Sequence, residues 1–405
     1  MKKVTVLCLG LMATMAAGAQ VQLVKDAERA MKSGESAAKV AEIIKPAASN
    51  PETANDVQVY FIPGKAAFDE YDKLLGLKQF NKLPENGQTA MGQDLINGYT
   101  FFMQALPLDS VPDAKGKVKA KHSKDMINAL AGHFWDYNGA AVDMWSAQDY
   151  KGAYEAWNIF MTLPKNPAVA PKIMNLPADS IMGEISFNRG LAAWQCERLD
   201  DALASFEEAK RLGYGKKQLY DYAMGVAKLK NDSETALAWA REAQPLFGHE
   251  DAAYTGEIIN SYITRQDYDG AVAEIQKALQ AEPNNSQYYW ILGVIYQSKE
   301  DLANAKEAYA KALSINDKNA KALTAYGWIL AKEAGDAADA MPATATEADY
   351  EKKIYPLYRE AATYLERALE INDEDIDTLR TLENVYYNLK DNANTERIAT
   401  LIKTL

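Results

Sequence analysis

The sequence predicts an all-α chain, a solenoid of antiparallel helix pairs with about nine hairpins. Three observations predict it. Small residues recur at one period: Gly190, Gly225, Gly293 and Gly327 fall 34 residues apart or close to multiples of it, as do Ala202, Ala236, Ala271 and Ala305. Each of those alanines is followed seven residues on by another, Ala209, Ala243, Ala278 and Ala312. Apolar residues between them step by three and four, which is one face of a helix. The 405 residues are 48% hydrophobic and 25% charged, a globular composition that excludes a disordered or collagen-like chain.

The clearest unit runs from Ser286 to Asn319, and the one before it from Ala252 to Asn285. Tyr289, Leu292, Gly293, Tyr296, Ala305, Tyr309 and Ala312 stand at positions 4, 7, 8, 11, 20, 24 and 27 of the first. Ala271, Ile275, Ala278 and Pro283 stand at positions 20 to 32 of the other. In this spacing the chain resembles the tetratricopeptide repeat (TPR) family. The physics of the pattern is direct: small residues at 8, 20 and 27 let two helices approach, and the aromatic at 24 fills the gap they leave. No hairpin buries enough apolar area alone, so hairpins stack. The resemblance implies a right-handed superhelix. Asp267 and Asp301, in the polar turns, are expected to cap the second helices.

The pattern extends in both directions. Residues 21–47 read as a divergent first hairpin. Gly64, Gly98, Phe102 and Ala105 fit repeat positions, and Gln148–Ala153 repeats the turn found at Gln266–Ala271. Downstream, Ala361, Leu365 and Ala368 fit a second helix displaced by a 22-residue insertion within 333–356, read as either an extension of both helices or a mobile loop. Leu379, Leu382 and Tyr386 open a final unit. The expected organisation is a signal peptide over 1–19, divergent hairpins over 20–161, a Pro-containing connection over 162–182, and the repeat array over 183–405.

The N-terminus reads as an export signal. Met1-Lys2-Lys3 is a positive start, Val4–Met15 an apolar stretch, and Ala17-Gly18-Ala19 a small-residue site, so cleavage is expected after Ala19. No later run is long and apolar enough to span a bilayer directly. Cys196 would then be the sole cysteine of the mature chain, which excludes an intramolecular disulfide and favours a small packing residue over a nucleophile. The net charge of −12 argues against nucleic-acid binding. The whole chain also resembles exported TPR proteins of Gram-negative bacteria, which implies a periplasmic or outer-envelope location.

Motifs for chemistry are absent. His122, His133 and His249 are scattered and form no zinc signature, and there is no phosphate loop, dinucleotide fingerprint or nucleophile elbow. No catalytic residue, metal ligand or cofactor is expected, and the chain is read as non-enzymatic. The acidic run Asp373–Asp377 lacks the glycine and terminal glutamate of a calcium loop and suits a helix N-terminus. Lysines 115, 117, 119, 121 and 124 form a basic loop, read as a solvated linker ahead of an anionic-surface contact. Asp109-Ser110-Val111 and Asp179-Ser180-Ile181, expected in loops, match an Asp-Ser-aliphatic O-glycosylation triplet used by some Gram-negative bacteria.

The tryptophans carry the functional reading. In the repeat, positions 2, 5, 9 and 12 of each first helix face the concave surface. Trp135 falls at 2, Phe187, Tyr222 and Trp290 at 5, Asn260 and Trp328 at 9, and Trp145 and Trp194 at 12. Trp157 falls at a core position and Trp239 on a second helix. The expected partner-binding residues are therefore Phe187, Trp194, Tyr222, Asn260, Trp290 and Trp328. One reading is an aromatic groove for an unidentified peptide or partner protein, since aromatic anchors dominate recognition. The other is a groove of the same aromatics that stacks on glycan. Inner-face tryptophans packing against neighbouring helices is the structural alternative to both.

Overall fold

The computed structural model describes residues 21–112, 116–117, 120–248 and 253–405; the signal segment, Lys115, Lys119 and His249 lie outside them. The regular elements of the described residues are helices, as the periodicity requires. Backbone contacts divide the chain into two compact units, one ending at Ala236 and the other starting at Leu237.

The first unit opens with α1 (21–32), α2 (Ala37–Ala48), α3 (Val57–Gln79), α4 (Gly87–Asp109), α5 (Ser123–Gly132), α6 (Phe134–Ser146) and α7 (Tyr150–Thr162). Two 3-10 turns come next, Leu163–Lys165 and Ala170–Lys172, then α8 (Asp179–Gln195), α9 (Leu199–Arg211), α10 (Lys217–Leu229) and the start of α11 (Ser233–Phe247). The second unit holds α12 (Ala253–Thr264), α13 (Tyr268–Ala281), α14 (Ser286–Ser298), α15 (Leu302–Ile315) and α16 (Ala320–Asp339). It closes with α17 (Glu347–Lys353), α18 (Tyr355–Ile371), α19 (Ile376–Asn388) and α20 (Asn392–Thr404).

One contact repeats through both units. The glycine at position 8 of a first helix meets the large residue at position 24 of its partner. A Cβ on Gly190 would lie 2.4 Å from the Phe206 ring, one on Gly293 2.3 Å from the Tyr309 ring, and one on Gly327 2.7 Å from Leu365. Gly64 stands to Phe102 in the same way, at 2.5 Å, so α3 and α4 form such a hairpin despite their divergent sequence. Phe206 and Tyr309 are almost fully buried by this closeness.

The hairpin turns are equally regular. Gln148, Glu197, Asn231, Gln266, Glu300 and Lys390 all take a left-handed backbone, with φ between 56° and 62°. The next residue is in most cases an aspartate that caps the second helix. The Asp149 side chain accepts from Gly152 N, Asp267 from Gly270 N and Asp301 from Asn304 N.

Several expectations change in detail. The 162–182 connection lies inside the first unit, because Leu163 and Val169 are buried in its core and Lys165 pairs with Glu208 of α9 at 2.7 Å. Glu208 also takes the buried Arg189 at 2.8 Å, while Arg189 Nε donates to Ser205 Oγ. Of the two readings of the 333–356 insertion, the helical extension is the one found: it lengthens α16 and α18 and adds the short α17, which carries a Thr346–Asp349 capping box. The Asp-Ser-aliphatic triplets do not sit in free loops. Asp109 ends α4 and accepts from the backbone N–H groups of Lys121, His122 and Ser123, pinning the start of α5. Asp179–Ile181 is the first turn of α8.

Candidate functional site

In the second unit the inner positions of three successive first helices form one groove. Counted from Ser286, Ala320 and Ile376, α14 supplies Trp290, Val294 and Gln297 at positions 5, 9 and 12. The α16 helix supplies Lys321, Thr324 and Trp328 at 2, 5 and 9, and α19 supplies Asp377 and Arg380 at 2 and 5. The groove encloses about 780 Å³. A shallower continuation of about 440 Å³ shares Trp328, Arg380 and Thr381 and runs on past Lys332 and Asn384. The 22-residue insertion leaves this register intact, since it is absorbed between α16 and α18 and the first helices still stand side by side.

The two tryptophans differ in role. Trp328 is 36% exposed and lines both the groove and its continuation. Trp290 is half-buried, leans on the cores beneath α15 and α16, and carries the Lys321 ammonium 5.5 Å from its ring centroid. That spacing is a cation–π contact. The floor is fixed by hydrogen bonds. Thr324 Oγ1 donates to Thr378 Oγ1 at 2.6 Å, and Thr378 Oγ1 in turn donates to Asp375 Oδ2. Tyr309 OH donates to Gln297 Oε1 at 2.9 Å, and burial pushes that hydroxyl well above its ordinary pKa, so it stays a neutral donor. The groove thus has an apolar aromatic strip, a polar floor, and rims of both signs from Lys321, Arg380, Asp375 and Asp377.

The first unit places its expected residues differently. Trp194 and Tyr222 meet with ring centroids 5.5 Å apart and planes tilted by 54°, Tyr222 being exposed and Trp194 half-buried. Phe187 is not a groove residue: it is 5% exposed. Tyr214, in the α9–α10 connection, stacks on it at 4.7 Å and seals it against Phe206. Asn260 is exposed on α12 and lines neither part of the groove. Trp157 and Trp239 are core residues, and exposed Trp135 donates from Nε1 to the Asn175 carbonyl at 3.2 Å. The structure therefore brings together Trp290 and Trp328 in the second unit, and separately Trp194 and Tyr222 in the first.

Sequence reasoning missed Lys321, Arg380 and Asp377. Their signal lies in the phasing, because all three stand at inner positions 2 and 5. Among the described residues no group of three or more His, Cys, Asp or Glu side chains could hold a metal. No described helix is long and apolar enough to cross a membrane. Cys196 is half-buried at the end of α8, and burial raises its thiol pKa, which disfavours thiolate chemistry.

Residues 257–320 match the tetratricopeptide repeat family model, which covers α13, α14 and α15. No curated protein matches the chain. Among solved structures it is similar to the C-terminal part of a TPR repeat-containing protein from Cytophaga hutchinsonii, at 15% identity over 65% of this chain and 93% of that one, TM-score 0.43. It is similar to pilF of Pseudomonas aeruginosa, at 15% identity over 56% and 93%, TM-score 0.40. YrrB, described as a TPR protein with an unusual peptide-binding site, matches at 19% identity over 51% and 98%, TM-score 0.34. The family match identifies a tetratricopeptide repeat over residues 257–320, and the phased contacts of Gly64, Gly190 and Gly327 show the same hairpin packing on either side of it.

Proposed function

We propose that this TPR protein is a non-catalytic interaction scaffold that holds an extended peptide segment of a partner protein along the Trp290–Trp328 groove. TPR arrays serve generally as protein–protein interaction scaffolds, and that much follows from the fold. The observation that supports the finer reading is the alignment of inner positions. Two tryptophans on consecutive first helices line one strip, with cations and carboxylates on its rims. An extended peptide matches it: apolar side chains lie on the tryptophans, and backbone amides and mixed charges meet the polar floor and rims. The rims carry both signs, so capture of a purely acidic terminus is not favoured. Export after cleavage at Ala19 is part of the same proposal, with the partner met in the periplasm or at the outer envelope.

Selection from a displayed peptide library tests the peptide reading. A consensus should emerge with apolar side chains at fixed spacing, and W328A should weaken the selected peptide by about tenfold or more, or about 1.4 kcal/mol. Selected peptides that bind W290A/W328A as well as wild type would move the interface off the groove. No selectable peptide, with glycan bound and lost on W328A, would transfer the groove to the glycan reading. Sequencing the N-terminus of the native protein tests export: a chain starting at Gln20 is expected.

A further inference from the structure

The 333–356 insertion does more than lengthen a repeat. Between α17, α18 and the end of α19 it encloses a cavity of about 570 Å³, within the usual range of small-molecule sites. Other second-unit hairpins turn within a few residues, as α14 and α15 do, so stacking does not require these residues. Yet the insertion is held firmly. Besides the capping box, Tyr355 OH donates to Glu347 at 2.7 Å, Lys390 pairs with Glu347, and Arg359 pairs with Glu351 at 3.1 Å.

The lining has a consistent chemistry. Tyr355 and Tyr358 form a buried floor, and Tyr358 also borders the groove continuation. Tyr387, at inner position 12 of α19, stands at the mouth with 73% of its surface open. Asn388 spends its amide hydrogens on the Asn384 carbonyl and Asn384 Oδ1, at 2.8 and 3.1 Å, so its own Oδ1 is left to accept. Asn392 is exposed beside it and offers both a donor and an acceptor. The charged pair in the wall, Glu347 and Lys390, neutralises itself.

We infer that this cavity is a binding site for a neutral saccharide, separate from the tryptophans of the groove and independent of the peptide reading. A sugar ring carries an apolar face of C–H groups and an edge of hydroxyls that donate and accept together. The open Tyr387 ring meets the first, and Asn388, Asn392 and the Glu347–Lys390 pair meet the second. A mutually neutralised ion pair leaves no net charge to recruit an ionic ligand. A proline-rich peptide fits less well: it needs slots between parallel aromatic rings, and Tyr350 and Tyr355 stand 6.3 Å apart at an interplanar angle of 49°.

Titration of the folded chain with malto-, cello- and chito-oligosaccharides, monitored by NMR, tests the site. At least one series should bind saturably and perturb the amides of 346–358 and 387–392. Y387A should weaken it by about tenfold or more, in line with loss of a central aromatic anchor, and N392A should weaken it less. Both residues are exposed, so circular dichroism should show both variants folded. W290A/W328A should bind as wild type does. Failure of all three neutral series to bind overturns the inference. So does saturable binding of a decaproline peptide in their place, a preference for an anionic oligosaccharide, or loss of sugar binding in W290A/W328A with Y387A unaffected.

Discussion

Phe187 of α8 and Trp290 of α14 occupy the same repeat position, yet one is core and the other borders a groove. Both project from position 5 of a first helix, and both helices pack through a glycine onto an aromatic of the next. The difference lies in the connection that leaves the second helix. In the first unit the α9–α10 connection passes through Gly213, with a left-handed φ of 88°, and swings Tyr214 over Phe187. In the second unit the α15–α16 connection is a short polar turn whose Asn319 caps α16, and no ring is laid over Trp290. Repeat position chooses the face of the helix, and the connection decides whether that face stays open.

That contrast sets the expected effects. Phe187→Ala should cost about 3–5 kcal/mol, the range for emptying a buried aromatic site, as a lowered urea midpoint. Trp328→Ala should cost less, about 1–2 kcal/mol in the same assay, because 36% of its surface is already open to solvent. Equal costs would mean the two positions are alike and the contrast is spurious. Next in size, Gly190→Ala and Gly293→Ala should each lose about 1–3 kcal/mol despite the gain in helix propensity, because the new methyl meets a ring that cannot retreat. A neutral result at Gly293 alone would show that the second unit yields where the first does not.

The smallest expected effect concerns pH. Burial, with a further contribution from nearby Glu70, pushes the Asp94 carboxyl of α4 up to about 6. The folded chain therefore binds this proton more tightly than the unfolded chain. Stability from Asp94 rises as pH falls from about 7 towards about 4, and Asp94→Asn should gain about 1 kcal/mol at neutral pH after solvent screening. Asp109 behaves oppositely. Its burial would raise it, but donation from Ser123 and the backbone amides of His122 and Lys121 outweighs that and holds it below the ordinary value. Its contribution is present above the ordinary carboxylate range and is lost as pH falls through the folded value. Melting curves against pH for D94N and D109N should diverge in sign.

Much of this was legible in the residues. The period located the hairpins from α12 to α16, and inner positions 5 and 9 paired Trp290 with Trp328, because helical spacing and small-residue contacts are local constraints. The cover over Phe187 was not legible: Tyr214 lies in a connection, where no period applies, and its reach depends on one backbone angle at Gly213. The insertion was legible as a length but not as a form. Its order comes from contacts far apart in sequence, such as Lys390 with Glu347. The cations of the groove escaped because a charge on a helix ordinarily signals solvent, and only the phasing distinguishes Arg380 from a surface arginine.

The recurring left-handed turn residue has a consequence for engineering. A side chain there costs roughly 1–2 kcal/mol against the left-handed backbone, Asn excepted, and four hairpins carry that burden at Gln148, Glu197, Gln266 and Glu300. Glycine at those sites would harden the array joint by joint, against the modest flexibility it adds to the unfolded chain. Lys390 is the exception, since its ammonium secures α17 through Glu347. At that turn glycine would relieve the backbone and release α17 together, so the same substitution has two opposed effects.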